Sequence, residues 1–99
     1  MKRAYHNYCV YILTNKPQGV LYIGVTGGLE DRMERHVNKE GSAFTKKYNL
    51  TVLVYFEDFQ YINDAIAREK QLKRWHRIWK INLIEKDNPN WENLYKPIG

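Results

Sequence analysis

Two polar residues lie in a predicted helix at positions where apolar side chains are expected. Apolar residues recur at Leu29, Met33 and Val37, which is the spacing of one helix face. Arg32 and His36 fall in the same stripe, one turn apart. Because a buried charge is costly unless it is paired, an anionic group is expected to meet this face. Taken singly, each residue is more often explained by an arginine reaching out at the stripe edge or by a hydrogen-bonded histidine.

A carboxylate interrupts the apolar face of a later predicted helix. At about 100° per residue, Ala65, Ile66 and Leu72 share one arc, and Glu69 falls near its middle. A carboxylate in such a place must be paired with a cation, protonated or bound to a metal. A structural salt bridge with Arg32 explains Glu69 at least as well as a metal site does, when the residue is considered alone.

Two tyrosines lie on a predicted β-hairpin. The segments 8–13 and 20–25 are β-branched and aromatic and flank a loop with proline and glycine. Pairing centred on that loop places Tyr11 opposite Tyr22 on one face of the sheet, and a slip of one residue would separate them. Gly24, inside the second strand, indicates a close approach by another group.

Small secondary-structure elements must hold these residues in place. The predicted elements are strands at 8–13, 20–25 and 50–59 and helices at about 29–37, 61–75 and 78–86. The segment 41–48 is predicted to be a loop with one helical turn. The order β-β-α-β-α-α indicates an α+β fold, with a small three-stranded, mainly antiparallel sheet flanked by helices. The 99 residues are predicted to form a single domain, with a core at about 8–80 and a C-terminal helix and tail at 81–99.

The charge balance favours polyanionic partners. There are 16 lysines and arginines against 11 acidic residues, for a net charge of +5, although solubility explains such an excess as well. The segment 68–80 mixes cations with Trp75 and Trp79, which suits a phosphate backbone and exposed bases. It suits a solvated helix face with a packed underside almost as well. The candidate nucleic-acid-binding residues are Arg68, Lys70, Lys73, Arg74 and Arg77.

Several classes of protein are disfavoured. No apolar run approaches the roughly 18 residues of a membrane helix, and the apolar run near the start is interrupted too soon for a signal peptide. Cys9 is the single cysteine, which argues against a disulfide framework or a thiolate zinc cluster. We therefore predict a cytoplasmic protein without a membrane partner.

The candidate residues together have the chemistry of phosphodiester hydrolysis. That reaction needs a metal holder, a cation for the phosphoryl charge and a proton acceptor for water. A carboxylate, a guanidinium, an imidazole and two phenols supply such groups. We expect these side chains to converge on one concave surface: Tyr11, Tyr22, Arg32, His36 and Glu69.

The same ordered residues resemble a known family. Cys9-Val10-Tyr11, then Tyr22-Ile23-Gly24, then Arg32 and His36, with Glu69 on a later helix, resemble the GIY-YIG nuclease superfamily over roughly residues 8–80. The chain is similar above all to the small stand-alone bacterial members. The first triplet departs from the pattern but keeps its tyrosine. Val25 stands where some relatives carry a lysine, and four asparagines compete for one position near the end of the domain: Asn82, Asn88, Asn90 and Asn93.

The resemblance implies a role for each residue. Tyr22 would be the general base or the phenol that orients water, and Tyr11 would complete the site beside it. Arg32 would stabilise charge on the phosphoryl group, and His36 would assist proton transfer or positioning. Glu69 would hold one divalent cation, Mg²⁺ being the expected ion, with no small-molecule cofactor.

The leading hypothesis is a metal-dependent endonuclease that hydrolyses phosphodiester bonds of DNA. A non-catalytic nucleic-acid-binding module that retains the fold is the alternative, and a small interaction protein is the third. Simple binding does not require a carboxylate inside an apolar arc, so the complete set of residues favours the enzyme.

Overall fold

A three-stranded antiparallel sheet carries helices on both faces. The computed structural model describes residues 7–96. The elements, in chain order, are β1 (Tyr8–Thr14), β2 (Leu21–Thr26), α1 (Leu29–Val37), α2 (Ala43–Lys47), β3 (Val52–Phe59), α3 (Ile62–Arg74) and α4 (Arg77–Asp87). The strand order is β2-β1-β3. The α+β prediction is confirmed, and the single helical turn expected between α1 and β3 is the short helix α2.

The sequence of β1 suits the centre of the sheet. Its residues Cys9 to Thr14 are fully buried, because both faces of this strand are covered. Val10 and Ile12 point to one face, where they pack with residues of α3 and α4. Tyr11 and Leu13 point to the other face, where they pack with residues of α1. The central strand therefore contributes to two separate cores.

The register of the hairpin differs from the predicted one. Tyr11 lies opposite Gly24, and Leu13 lies opposite Tyr22, so the predicted pairing of the two tyrosines was wrong by two residues. The last pair joins Thr14 and Leu21, because the six-residue turn is shifted by one residue, to 15–20, where the Asn15 side chain accepts a hydrogen bond from the Val20 amide at 3.0 Å. A shift of two residues preserves the face, so both tyrosines remain on the same side of the sheet.

The chain after α4 covers the outer edge of β3. The buried Asn88 amide donates to the carbonyl oxygens of Val54 and Glu92, at 3.1 and 2.9 Å. Asn93 accepts a hydrogen bond from the Leu53 amide at 3.1 Å. Asn88 and Asn93 thus have structural partners, whereas Asn82 and Asn90 are exposed. Within residues 7–96, no helix is long and apolar enough to cross a membrane.

Candidate active site

Helix α1 places an imidazole directly over the central strand. Leu29, Met33 and His36 are its buried residues, while the predicted stripe residue Val37 is 43% exposed. His36 is only 4% exposed, and its Nε2 lies 3.2 Å from the hydroxyl of the fully buried Tyr11. The helix therefore buries a polar side chain where a larger apolar one would fit, and gives it a hydrogen-bond partner.

The two tyrosines and the histidine form one cluster of rings. Ring centroids are 6.3 Å apart for Tyr11 and Tyr22, 5.9 Å for Tyr11 and His36, and 6.0 Å for Tyr22 and His36. Tyr22 is half-buried, so its ring is open to solvent on one side. The cluster combines one enclosed phenol with one that a ligand can reach.

A glycine makes room for the enclosed phenol. A Cβ atom at Gly24 would lie 2.5 Å from both the Cζ and the hydroxyl oxygen of Tyr11, a distance that real Cβ atoms do not show. The Tyr11 ring therefore lies across the Gly24 backbone, as the glycine inside the strand predicted. Any side chain at this position would displace the Tyr11 hydroxyl from His36.

Arg32 adds a cation to the cluster. Its half-buried guanidinium interacts with the Tyr11 hydroxyl, one turn before His36 on α1. It also lines an open groove beside α1, together with Thr26 and Asp31. Among residues 7–96, no carboxylate lies within salt-bridge distance of Arg32. A cation without a carboxylate partner is available to an external anion.

Burial keeps both enclosed polar groups neutral. It raises the pKa of Tyr11 well above the ordinary value for a phenol, and Tyr22 adds to this effect, while Arg32 partly opposes it. Burial also lowers the pKa of His36, and the positive charge of Arg32 acts in the same direction. At neutral pH the pair is therefore a phenol and an uncharged imidazole.

The surroundings of His36 indicate which nitrogen carries the proton. Its Nδ1 is buried and has no hydrogen-bond partner among the described residues. A Cβ at Gly41 would lie 2.6 Å from this nitrogen, so backbone closes off that side of the ring. A buried N–H without a partner is costly and rare, so we assign the proton to Nε2, which then donates to Tyr11. The Tyr11 hydroxyl is left free to donate its own proton to another group.

Glu69 lies on α3, which packs on the face of the sheet opposite to α1. Its side chain is 16% exposed and forms a salt bridge of 3.2 Å with Lys73, one turn along α3. The alternative salt bridge between Glu69 and Arg32 is therefore not formed. The preceding residue, Arg68, pairs with Glu57 of β3. Helix α3 also packs against β1 and β2.

Direct interactions thus join four of the five predicted catalytic residues. Tyr11, Tyr22, Arg32 and His36 form the cluster, and Glu69 lies across the sheet from α1. No group of three or more histidine, cysteine or acidic side chains in the described part of the chain could hold a metal ion. A single carboxylate nevertheless suits Mg²⁺, which keeps several waters and binds through one or two carboxylates together with substrate phosphates.

Two of the predicted nucleic-acid-binding arginines have structural partners. Arg68 donates to the Glu57 carboxylate from Nε at 3.1 Å and from Nη2 at 2.9 Å, and Glu57 raises its pKa. Arg77 donates to the backbone carbonyls of Gln18 and Gly19, at 2.6 Å each, and so ties α4 to the turn of the hairpin. The other three candidates are exposed on α3: Lys70, Lys73 and Arg74.

The two tryptophans of the basic segment differ in their surroundings. Trp75 is half-buried in the core below α3, with the Arg68 guanidinium 5.2 Å from its ring centre. Trp79 is 50% exposed and meets Trp75 edge-on, with 6.0 Å between ring centroids. The segment therefore packs against the core through Trp75, whereas Trp79 and its neighbouring cations are exposed to solvent.

Sequence reasoning did not single out the aromatic residues of α2. The ring of Phe44 stacks on that of Tyr22, with centroids 6.3 Å apart and an interplanar angle of 30°. Tyr48 packs on Phe44 at 4.8 Å. The available signal was a pair of aromatics four residues apart, next to Lys46 and Lys47, in a segment predicted to be mostly loop.

Comparison with known proteins agrees with this architecture. The GIY-YIG catalytic domain matches residues 7–82, so the chain belongs to the GIY-YIG catalytic domain family. It is 39% identical over 93 residues to a UPF0213 protein of Clostridium perfringens, which covers 94% of this chain and 98% of the relative. A UPF0213 protein of Pediococcus pentosaceus is 38% identical over 74 residues, 75% of this chain and 78% of that protein.

A solved structure is also similar. The solution NMR structure of the UPF0213 protein BH0048 from Bacillus halodurans superposes with a TM-score of 0.55 at 28% sequence identity. The match covers 88% of this chain and 92% of that chain. The recognition of a GIY-YIG protein from its motifs is therefore confirmed.

Proposed function

We propose that the protein is a metal-dependent endonuclease that hydrolyses phosphodiester bonds of DNA. The observation that carries this proposal is the cluster of Tyr11, Tyr22, Arg32 and His36, in which a guanidinium with no carboxylate partner among residues 7–96 interacts with the Tyr11 phenol. A binding module has no need to bury an imidazole and a phenol against each other. A site for phosphoryl transfer does need positioned donors and a cation around the phosphate.

Each residue of the cluster has a distinct task in the proposed reaction. Arg32 binds a non-bridging phosphate oxygen and stabilises the charge that develops there. Tyr11 is enclosed, accepts a hydrogen bond from His36 and interacts with the Arg32 guanidinium, which it holds in position for the phosphate. Tyr22, the half-buried phenol, orients the attacking water and, once its own proton has been released to solvent, accepts the water's proton as a phenolate. His36 holds the Tyr11 hydroxyl in place and remains uncharged.

Glu69 is the residue proposed to hold the divalent cation. When bound, Mg²⁺ supplies positive charge to the phosphate oxygens. The carboxylate is currently paired with Lys73, whose side chain is 53% exposed. Such a pair within one helix contributes at most about 0.5 kcal/mol, so it does not prevent the carboxylate from binding a cation.

The substrate class is inferred from the charge. The net charge of +5 and the exposed cations of α3 favour a polyanion, and the family favours a nucleic acid. These cations would contact backbone phosphates, which position a strand without reading its sequence. They support the alternative of a non-catalytic nucleic-acid-binding module equally well.

The decisive experiment compares the wild-type protein with Glu69→Gln on single-stranded, duplex and branched DNA. We expect wild-type cleavage with Mg²⁺ and none with a chelator. Glu69→Gln should lower the cleavage rate by about 100-fold or more, the scale of losing one charge-stabilising group. DNA affinity without metal should be unchanged or higher, because a repulsive carboxylate is removed. Glu92→Gln, which changes an exposed acid, is the matched control and should cut normally.

Thermal melting of the same preparations completes the test. Glu69→Gln removes only the pair with Lys73, so its melting temperature should stay close to that of the wild type. Wild-type protein that binds DNA but never cuts it with Mg²⁺ or Mn²⁺ would establish the alternative. Cleavage by Glu69→Gln at the wild-type rate would show that Glu69 does not take part in the reaction.

A further inference from the structure

An aromatic surface extends from the candidate active site onto α2. We name it the ring platform and define it as Tyr22, Phe44 and Tyr48. Phe44 stacks on Tyr22 with centroids 6.3 Å apart, and Tyr48 lies 4.8 Å beyond Phe44. The three rings therefore form a continuous row that begins at the proposed reacting phosphate and leads away from it.

Core packing does not account for this row. Thr45 is the buried residue of α2, and the helix is capped by the Ser42 side chain, which accepts from the Thr45 amide at 3.2 Å. Phe44 is 44% exposed and Tyr48 is 37% exposed. The helix is thus anchored through Thr45, while its aromatic side chains remain open to solvent.

The charges around the platform suit a nucleic-acid strand. Lys46 and Lys47 lie between Phe44 and Tyr48 in the sequence, and α2 carries no acidic residue. The Lys47 ammonium lies 5.3 Å from the centre of the Tyr48 ring. Exposed aromatic rings beside cations are the features that proteins use to stack unpaired bases while contacting the backbone.

We propose that the ring platform binds an unpaired nucleobase of the strand whose phosphate lies at Arg32. This inference rests on the proposed function and adds a base-binding subsite to it. A base inside a duplex has both faces covered by its neighbours, so its ring becomes available only in a single strand or after it has been flipped out. Phe44 is the central and the most exposed of the three rings, so it should contribute most.

The experiment measures DNA binding without metal, so that cleavage plays no part in the result. A labelled oligonucleotide carries one abasic nucleotide, which is moved along the strand, and the dissociation constant is measured by fluorescence anisotropy for each position. For the wild type we expect one or two neighbouring positions at which the missing base weakens binding by about tenfold, as for one lost stacking contact. Phe44→Leu should bind the intact strand more weakly and lose this position dependence.

Two further variants test whether poor folding, or the loss of any exposed aromatic residue, explains the result. Phe44→Trp keeps an aromatic ring and should retain the position dependence even if Phe44→Leu folds poorly. Tyr61→Leu removes a more exposed aromatic residue at the start of α3, 62% exposed, and should behave as the wild type. A flat abasic scan for the wild type, or a position dependence that survives in Phe44→Leu, would overturn the proposal.

Two arms of the experiment distinguish the sources of the base. If only the single strand shows the position dependence, the base comes from single-stranded DNA. If a duplex binds more tightly with one mismatch at that position, the base is flipped out of a duplex, since a mismatch lowers the cost of flipping. Both results support the subsite.

The subsite and the proposed function fail separately. Cleavage with a flat abasic scan would remove the subsite and leave the nuclease. A position-dependent scan without cleavage would leave a base-binding module.

Discussion

The residues of the cluster are individually ordinary, and their burial gives them unusual properties. Tyr11 and His36 are both enclosed, and each satisfies the other through one hydrogen bond of 3.2 Å. Because the His36 proton is assigned to Nε2, the imidazole is the donor of this hydrogen bond and the phenol is the acceptor. Replacing Tyr11 would leave the buried imidazole of His36 without a hydrogen bond, which costs about 1–3 kcal/mol.

The buried His36 should make stability depend on pH. An unperturbed histidine takes up a proton near pH 6.5, whereas burial and Arg32 lower the pKa of His36 in the folded protein. Below about pH 6.5 the unfolded chain therefore binds more protons at this residue than the folded chain does. The free energy of unfolding should fall as the pH drops from about 6.5 toward the lowered pKa of His36.

Urea denaturation between pH 7.5 and pH 5 measures this effect. His36→Gln should show a flatter pH dependence in that window, because the residue that titrates has been removed. His76→Gln, which replaces an exposed histidine, should retain the wild-type slope. Equal slopes for His36→Gln and the wild type would assign the pH dependence to other groups.

At the level of elements, the pairing of β1 with β2 builds the site. The register that sets Tyr11 opposite Gly24 lets the phenol ring cross the strand and reach α1. Helix α1 contributes Arg32 and His36 from one face, because residues four apart in a helix lie above one another. The site therefore depends on a backbone contact between two strands as much as on the side chains.

Gly24→Ala tests this dependence. The new methyl group would lie 2.5 Å from the Tyr11 hydroxyl, so the ring must move away from His36. We expect a loss of stability of about 1–3 kcal/mol, as for overpacking, together with a strong loss of cleavage. The control is Gly27→Ala, whose methyl group would meet Tyr8 at an ordinary 3.5 Å and should have little effect. Equal melting temperatures and cleavage rates for the two variants would show that the close approach of Tyr11 to Gly24 is not important for the site.

For the whole molecule, the structure divides the basic residues into two groups. Arg68 and Arg77 join elements to each other, through Glu57 of β3 and through the hairpin turn. Among residues 7–96, the lysines of α2 and the other exposed cations of α3 and α4 do not join elements in this way. The positive charge available to a partner is therefore smaller than the sequence of the basic segment suggests, and it lies on several helices.

DNA binding should weaken steeply with salt. With about four phosphate contacts from the exposed cations of α2 and α3, the slope of log K against log salt concentration should be near −4 on duplex DNA. Lys70→Ala or Arg74→Ala should each reduce the slope by about 1. Arg68→Ala should instead lower the free energy of unfolding by about 1–2 kcal/mol, since it leaves the Glu57 carboxylate without its paired donor.

Salt titrations of DNA binding and thermal melting of the three variants test this division. A slope near zero for the wild type would show that phosphate contacts do not contribute to DNA binding. A change of slope for Arg68→Ala without a loss of stability would show that this arginine binds phosphate after all.

Much of the fold and of the site follows from local patterns in the sequence. The strands, the long helices and their order follow from the periodicity of apolar residues, and the common face of Arg32 and His36 follows from helix geometry. The ordered tyrosine, glycine, arginine, histidine and glutamate positions also placed the chain in its family, which the comparisons confirm. These features depend on residues close together in the chain, so the sequence is sufficient to predict them.

Contacts between distant segments decided the rest. The hairpin register depends on how the turn is held by Asn15 and Arg77, and the partner of Glu69 depends on which side chains reach α3. The stacking of Phe44 on Tyr22 joins residues on different elements and has no local signature. Such contacts are selected by the packing of the complete chain, because many pairings have similar energies until the elements take their positions.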